Sequence, residues 1–99
     1  MPPRATFEPA TVPQLVAKAA GLAQEIIGRQ QRAGLRSYVD VVCGRRREPK
    51  YRLEESGVLV YASSDREADY EKLSPEDLEA ICGRFQEYLD GLGSLGLKP

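Results

Sequence analysis

The side chains best suited to chemistry in this sequence are basic ones. Three arginines are consecutive, Arg45, Arg46 and Arg47, and two more basic residues follow within five positions. A guanidinium group presents a rigid fork of donors that matches the oxygens of a phosphate or a carboxylate. The basic set predicted to bind nucleic acid or an acidic partner is Arg29, Arg32, Arg36, Arg45, Arg46, Arg47, Lys50 and Arg52.

Catalytic chemistry has little support in the sequence. The chain contains no histidine, which removes imidazole proton transfer near neutral pH, Ser–His and Cys–His nucleophiles, and the commonest zinc ligand. It has no Gly-rich phosphate loop, nucleophile elbow or metal-ligand spacing. We therefore expect a protein that is not an enzyme and that carries no cofactor or metal.

An acidic stretch has the spacing of a calcium loop. Its carboxylates would occupy positions 1, 3, 5, 7 and 12 of such a loop: Asp65, Glu67, Asp69, Glu71 and Glu76. Position 6, however, is Tyr70 rather than the glycine that the sharp turn needs, and a predicted strand, not a helix, comes before it. We interpret the stretch as a solvated acidic loop.

Charge is distributed unevenly along the chain. Residues 1–52 carry ten basic and four acidic side chains, a net charge of +6, whereas residues 53–99 carry four basic and eleven acidic ones, a net charge of −7. The two halves sum to the net charge of −1 for the whole chain. Such an asymmetry is typical of proteins with a charged partner.

Five elements are predicted to position these side chains. Apolar residues recur at helical spacing over 12–33, and three strands are predicted at 37–43, 49–55 and 58–62. A second helix is predicted from Ser74-Pro75-Glu76-Asp77 to Gly91 or Gly93. The predicted fold is α+β, in the order α-β-β-β-α, with a three-stranded antiparallel sheet and two helices packed on one face. The predicted domain spans 11–92, between flexible segments at 1–10 and 93–99.

The pairing of the strands predicts which residues face outward. In the first hairpin, Val41 is expected opposite Tyr51 and Val39 opposite Leu53, so that Asp40 meets Arg52 as an ion pair on the outer face. In the second hairpin we expect a two-residue turn at Ser56-Gly57. An exposed interface on the outer face is then predicted, suited to self-association, from Tyr38, Val42, Leu59 and Tyr61.

Length and composition place the chain among small intracellular domains. Its 99 residues suit one domain, and no apolar run approaches the roughly 20 residues needed to cross a bilayer. The beginning of the chain lacks the features of a signal peptide, so we expect a cytoplasmic protein without membrane contact. Cys43 and Cys82 are expected to be small buried residues and not a disulfide.

The element order resembles that of double-stranded-RNA-binding domains. Those domains place a lysine-rich motif at the start of their last helix, where this chain has Ser74-Pro75-Glu76-Asp77. Because these carboxylates would repel phosphates, the function of that family is not carried over.

The leading hypothesis is a small regulatory module whose arginine-rich hairpin contacts nucleic acid without strong base selectivity. The alternative is a protein-interaction module, either a homodimer or an accessory or inhibitor subunit, that uses the outer sheet face and the acidic C-terminal half.

Overall fold

The computed structural model describes residues 11–94 and confirms the predicted order α-β-β-β-α, with an antiparallel sheet whose three strands are neighbours in chain order. Its elements are α1 (Thr11–Ala33), β1 (Val39–Val41), β2 (Tyr51–Leu53), β3 (Leu59–Tyr61), a 3-10 helix (Tyr70–Lys72) and α2 (Pro75–Ser94). The strands are shorter than predicted. The predicted arm at 1–10 and the last five residues of the predicted tail lie outside the described residues.

Helix α1 ends as its sequence predicts. The amides of Gly34 and Leu35 fold back to donate to the carbonyls of Gln31 and Gln30, at 3.2 and 2.8 Å. This double return satisfies carbonyls that the last turn of a helix leaves free. The chain therefore leaves α1 in a fixed direction and enters β1 after a short connection.

The first hairpin has the predicted register. Val39 pairs with Leu53, Asp40 with Arg52 and Val41 with Tyr51. The predicted ion pair between Asp40 and Arg52 does not form, because the Arg52 guanidinium bonds to Glu54 and Asp65 instead.

The second hairpin differs from the prediction by one residue. The expected two-residue turn would pair Leu53 with Val60. Leu53 pairs with Leu59 instead, because the turn contains three residues, 55–57. Gly57 closes the turn with a φ of 95°, a conformation that a glycine adopts without strain. Since side chains alternate along a strand, the extra residue reverses the face of every β3 side chain. Leu59 consequently points into the core, while Val58 is exposed.

The core lies between the inner sheet face and both helices. The sheet contributes five buried side chains to the core: Val39, Val41, Tyr51 and Leu53 from the first hairpin, and Leu59 from β3. A single cluster of buried residues unites them with residues from α1 and α2, among them Ala19, Ile26, Leu78, Ile81 and Phe85. Both helices thus cover the same face of the sheet. On the other face Val60 is nevertheless buried, whereas Tyr38 and Val42 are exposed.

Helix α2 starts at the predicted cap. The Ser74 hydroxyl accepts a hydrogen bond from the Asp77 amide at 3.2 Å, and Pro75 occupies the first helical position. Leu73 and Leu78 are both buried in the core, as expected for residues that staple the start of a helix. The helix continues through Gly91 and Gly93 to Ser94, beyond its predicted end.

The two edges of the sheet are covered in different ways. Residues 66–68 run alongside β3, where the Tyr61 amide donates to the Arg66 carbonyl and the Ala68 amide to the Leu59 carbonyl, at 2.8 and 2.7 Å. On the β1 edge, the Arg84 side chain from α2 donates to the Asp40 carbonyl at 2.9 Å.

The one-residue shift in β3 has a direct thermodynamic test. Leu59 is 2% exposed and Val58 is 40% exposed, so we expect Leu59→Ala to lower the free energy of unfolding by about 2–5 kcal/mol. Val58→Ala, as the matched control, should change it by about 0.5 kcal/mol or less. Urea denaturation of both variants measures the difference. A larger loss of unfolding free energy for Val58→Ala than for Leu59→Ala would instead support the two-residue turn.

Candidate functional site

The candidate site is the connection between β1 and β2, residues 43–50, which we call the arginine loop. Gly44 turns the chain just after Cys43, with a φ of 63° that suits a glycine. The Arg46 amide donates to the Cys43 carbonyl at 3.3 Å. Arg45, Arg46 and Arg47 are all exposed. Across residues 11–94, none of the three forms an ion pair, not even with the neighbouring Glu48.

One carboxylate holds the base of the arginine loop. Asp77 Oδ2 accepts a hydrogen bond from Lys50 Nζ at 2.8 Å and another from the Tyr51 hydroxyl at 2.6 Å. Lys50 also donates its amide to Val41, although the strand partner of Val41 is Tyr51. Two residues of the returning chain therefore oppose one, as in a β-bulge, which redirects side chains. This explains why neighbouring side chains reach the same carboxylate.

The charges at this contact support one another. Partial burial by itself would raise the pKa of Asp77, but the hydrogen bonds from Lys50 and Tyr51 outweigh it, so the pKa lies below its ordinary value. The hydrogen bond to Asp77 raises the pKa of Lys50. Burial and then the Asp77 charge raise the pKa of the Cys43 thiol to about 11. At neutral pH the site therefore holds a carboxylate, an ammonium ion, a phenol and a thiol.

Three of the predicted basic residues are already paired within the domain. Lys50 bonds to Asp77, and Arg52 bonds to both Glu54 and Asp65. Arg29 bonds to Glu25 one helical turn earlier, at 2.7 Å. These cations are thus partly neutralised before any partner arrives.

Two other predicted residues lie at the opposite end of the sheet. Arg32 and Arg36 are exposed near the end of α1, and Arg36 lines a groove with Glu55 and Ser56 of the second turn. Arg36 precedes β1, whereas the arginine loop follows it. The structure does not gather the eight basic side chains into one surface, and the unpaired cluster consists of Arg45, Arg46 and Arg47.

The predicted interface on the outer sheet face also requires correction. Tyr38 and Val42 are exposed there, 58% and 45% respectively. Leu59 is buried in the core, and Tyr61 packs on the inner side with its ring centroid 5.3 Å from that of Tyr51. The cause is the three-residue turn, which reverses β3. The exposed apolar residues of the outer face are therefore confined to β1 and its flanks.

Asp77 is the residue that sequence analysis missed. The sequence indicates only that its carboxylate favours a helix start. Its partners, Lys50 and Tyr51, are 27 and 26 positions away in a different element. No local pattern marks such a pair, and only the packing of α2 against the first hairpin brings it together.

Other possible site features are limited. Cys43 and Cys82 are both buried and unbridged, as predicted. Within the part of the chain that the structure describes, no group of three potential metal ligands occurs. Neither described helix is long and apolar enough to span a membrane. Comparison of the chain with protein-family models, with curated proteins and with solved structures finds no match.

Replacing the shared carboxylate should weaken the fold. We expect Asp77→Asn to lower the free energy of unfolding at pH 7 by about 1–3 kcal/mol, because the acceptor of two hydrogen bonds loses its negative charge. Urea denaturation at pH 7 measures the change. The matched control is Glu79→Gln, which removes an equal charge from an exposed position on α2. An equal effect in both variants would contradict the role of Asp77.

The same contact predicts a pH dependence. The pKa of Asp77 is lower in the folded than in the unfolded chain. Its stabilising contribution is therefore complete above about pH 4 and is lost as the pH falls through the folded-state value. The stabilities of the parent and of Asp77→Asn should converge in acid, as measured by urea denaturation between pH 2 and pH 7 (roughly the range in which carboxylates titrate).

Cys43 reports on the order of the arginine loop. Because the thiol is buried and its pKa is raised to about 11, it should react slowly with iodoacetamide at neutral pH. Asp77→Asn should accelerate alkylation of Cys43 and leave Cys82 unchanged, since Cys82 is buried against α1. Peptide mass spectrometry separates the two sites. Equal acceleration at both would indicate general unfolding instead of a loosened loop.

Proposed function

We propose that this chain is a non-enzymatic module that binds the phosphate backbone of a nucleic acid through Arg45, Arg46 and Arg47. The observation that carries the proposal is that these consecutive guanidinium groups are exposed and, among residues 11–94, have no carboxylate partner. Each of the three retains its donors for an external anion, and phosphate oxygens accept such forks well.

The anchoring of the loop supports the same function. Cys43 and Lys50 mark its two ends, and the Asp77 contact fixes the latter. A loop that is ordered before binding loses less conformational entropy when it meets its partner. Lys50 itself is engaged with Asp77, so its contribution to the proposed surface is chiefly to position the arginines.

Recognition through phosphates predicts little base selectivity. In duplex DNA, base edges are read by side chains that a helix or a β-ribbon places in a groove. The strands that present the arginine loop are three residues long, which suits contact with the backbone of the nucleic acid. We therefore expect affinity to depend on charge and salt far more than on sequence.

A protein with an acidic surface is the competing partner, because arginine forks bind carboxylates as well as phosphates. The exposed Val42 beside the loop, with Tyr38 at the other end of β1, would supply the apolar part of such an interface. Such an interface would suit an accessory or inhibitor subunit. It would also suit a homodimer in which the arginine loop contacts the acidic half of a second copy. Binding measurements with oligonucleotides separate this partner from nucleic acid.

The test is binding of the chain to single-stranded and duplex oligonucleotides by fluorescence anisotropy over a range of salt concentrations. Three phosphate contacts predict a log–log salt slope of about −2 on single strands and about −3 on duplex DNA. The triple variant Arg45→Ala/Arg46→Ala/Arg47→Ala should lose most of the affinity and most of the slope.

The matched control removes the same charge elsewhere, with Arg32→Ala/Arg36→Ala/Arg66→Ala, all at exposed positions. It should retain binding that the triple loop variant loses. Equal losses in both would reduce the effect to net charge and contradict a dedicated surface. If the parent protein binds no oligonucleotide at low salt, the nucleic-acid proposal is wrong and an acidic protein becomes the favoured partner of the arginine loop.

A further inference from the structure

We infer that the nucleic acid bound by the arginine loop is single-stranded and that one of its bases stacks on Tyr38. This inference rests on the proposed function and adds the class of nucleic acid and a second point of contact. Four observations carry it: the exposure of Tyr38, the way its ring is held, its position relative to the loop, and the charges around it.

Tyr38 is unlike the other tyrosines of the chain. Tyr51 is buried in the core, and the other three tyrosines are partly buried against that core: Tyr61, Tyr70 and Tyr88. Tyr38 is 58% exposed on the outer face. An aromatic ring left open in this way provides a platform on which an unpaired base can stack, whatever the identity of the base.

The Tyr38 ring has a charged neighbour that is itself fixed. The Arg52 guanidinium lies 5.6 Å from the ring centroid, within the range of a cation–π contact. Arg52 is in turn held by Glu54 and Asp65. The contact favours one position of the ring before binding. A base that stacks on the ring also meets a guanidinium, which stacks on bases as well.

The platform and the arginine loop are joined by β1. Tyr38 immediately precedes the strand, Val42 follows it on the same face, and the arginine loop begins at the next residue. Four extended residues span roughly 13 Å. A single-stranded nucleic acid with one base stacked on Tyr38 can therefore place a phosphate at Arg45 within a few nucleotides.

The surrounding carboxylates favour a single strand over a duplex. Asp40 lies on the outer face between Tyr38 and Val42, and Glu54 and Asp65 surround Arg52. A duplex lying over this face would place rows of phosphates beside these carboxylates, at an electrostatic cost, and would keep its bases stacked inside. A single strand can turn one base onto Tyr38 while its phosphates stay at the arginines.

The test uses the absence of tryptophan from the chain. In Tyr38→Trp the new indole is the sole tryptophan, and a single strand of about 12 nucleotides should quench its fluorescence on binding. Tyr38→Ala should bind that single strand roughly tenfold more weakly, with duplex affinity little changed. Tyr38→Phe keeps the ring and should bind as the parent does. Val58→Ala, an exposed apolar position on the other hairpin, serves as the control.

The outcomes separate the two proposals. Loss of binding in the arginine-loop variant, together with unquenched fluorescence in Tyr38→Trp and full single-strand affinity in Tyr38→Ala, would overturn the stacking role and leave phosphate binding in place. A parent protein that binds neither single strands nor duplexes would overturn both. Quenching with a selective loss of single-strand affinity supports the inference.

Discussion

The arrangement of the candidate site depends on one partly buried carboxylate. Asp77 joins the start of α2 to the first hairpin through Lys50 and Tyr51. Tyr51 is among the largest fully buried side chains, and a phenol hydroxyl in such a place needs a hydrogen-bond partner. Asp77 supplies it and binds the adjacent ammonium ion at the same oxygen. The packing of the core and the position of the arginine loop are therefore determined by the same contact.

The contact also changes the meaning of the charge asymmetry in the sequence. Of the five ion pairs in the described region, three join the basic first half to the acidic second half: Lys50–Asp77, Arg52–Glu54 and Arg52–Asp65. These contacts cancel part of the separation in space, through Lys50 and Arg52 alone. The three guanidinium groups of the arginine loop take no part in this cancellation. The same is true of Arg32 and Arg36, but only the loop places three such groups at consecutive positions.

Local signals in the sequence predicted the elements well. The helical period of α1, the cap at Ser74 and the first hairpin register each depend on neighbouring residues or on a simple alternation. The prediction for the second hairpin was wrong because Ser56-Gly57 suits a two-residue turn and also the end of a three-residue turn. The local sequence does not distinguish these turns, and a difference of one residue moved Leu59 from the predicted interface to the core.

The candidate site was predictable only in part. The exposure of three consecutive arginines follows from their charge and their place in a loop. The pairing of Arg52 with Asp65, and of Lys50 with Asp77, depends on how distant segments pack, which composition and spacing do not encode. For the same reason the sequence grouped Arg36 with the arginine loop, although β1 separates them in space.

The guarded edges of the sheet have a consequence for behaviour at high protein concentration. A second chain that sought to extend the sheet at β1 would have to displace the Arg84 side chain from the Asp40 carbonyl and leave its charge against the incoming backbone. At β3 the corresponding backbone groups are already occupied by residues 66–68. Lateral growth into a fibril is opposed at both flanks, so a sheet only three short strands wide can persist without a further strand to close it.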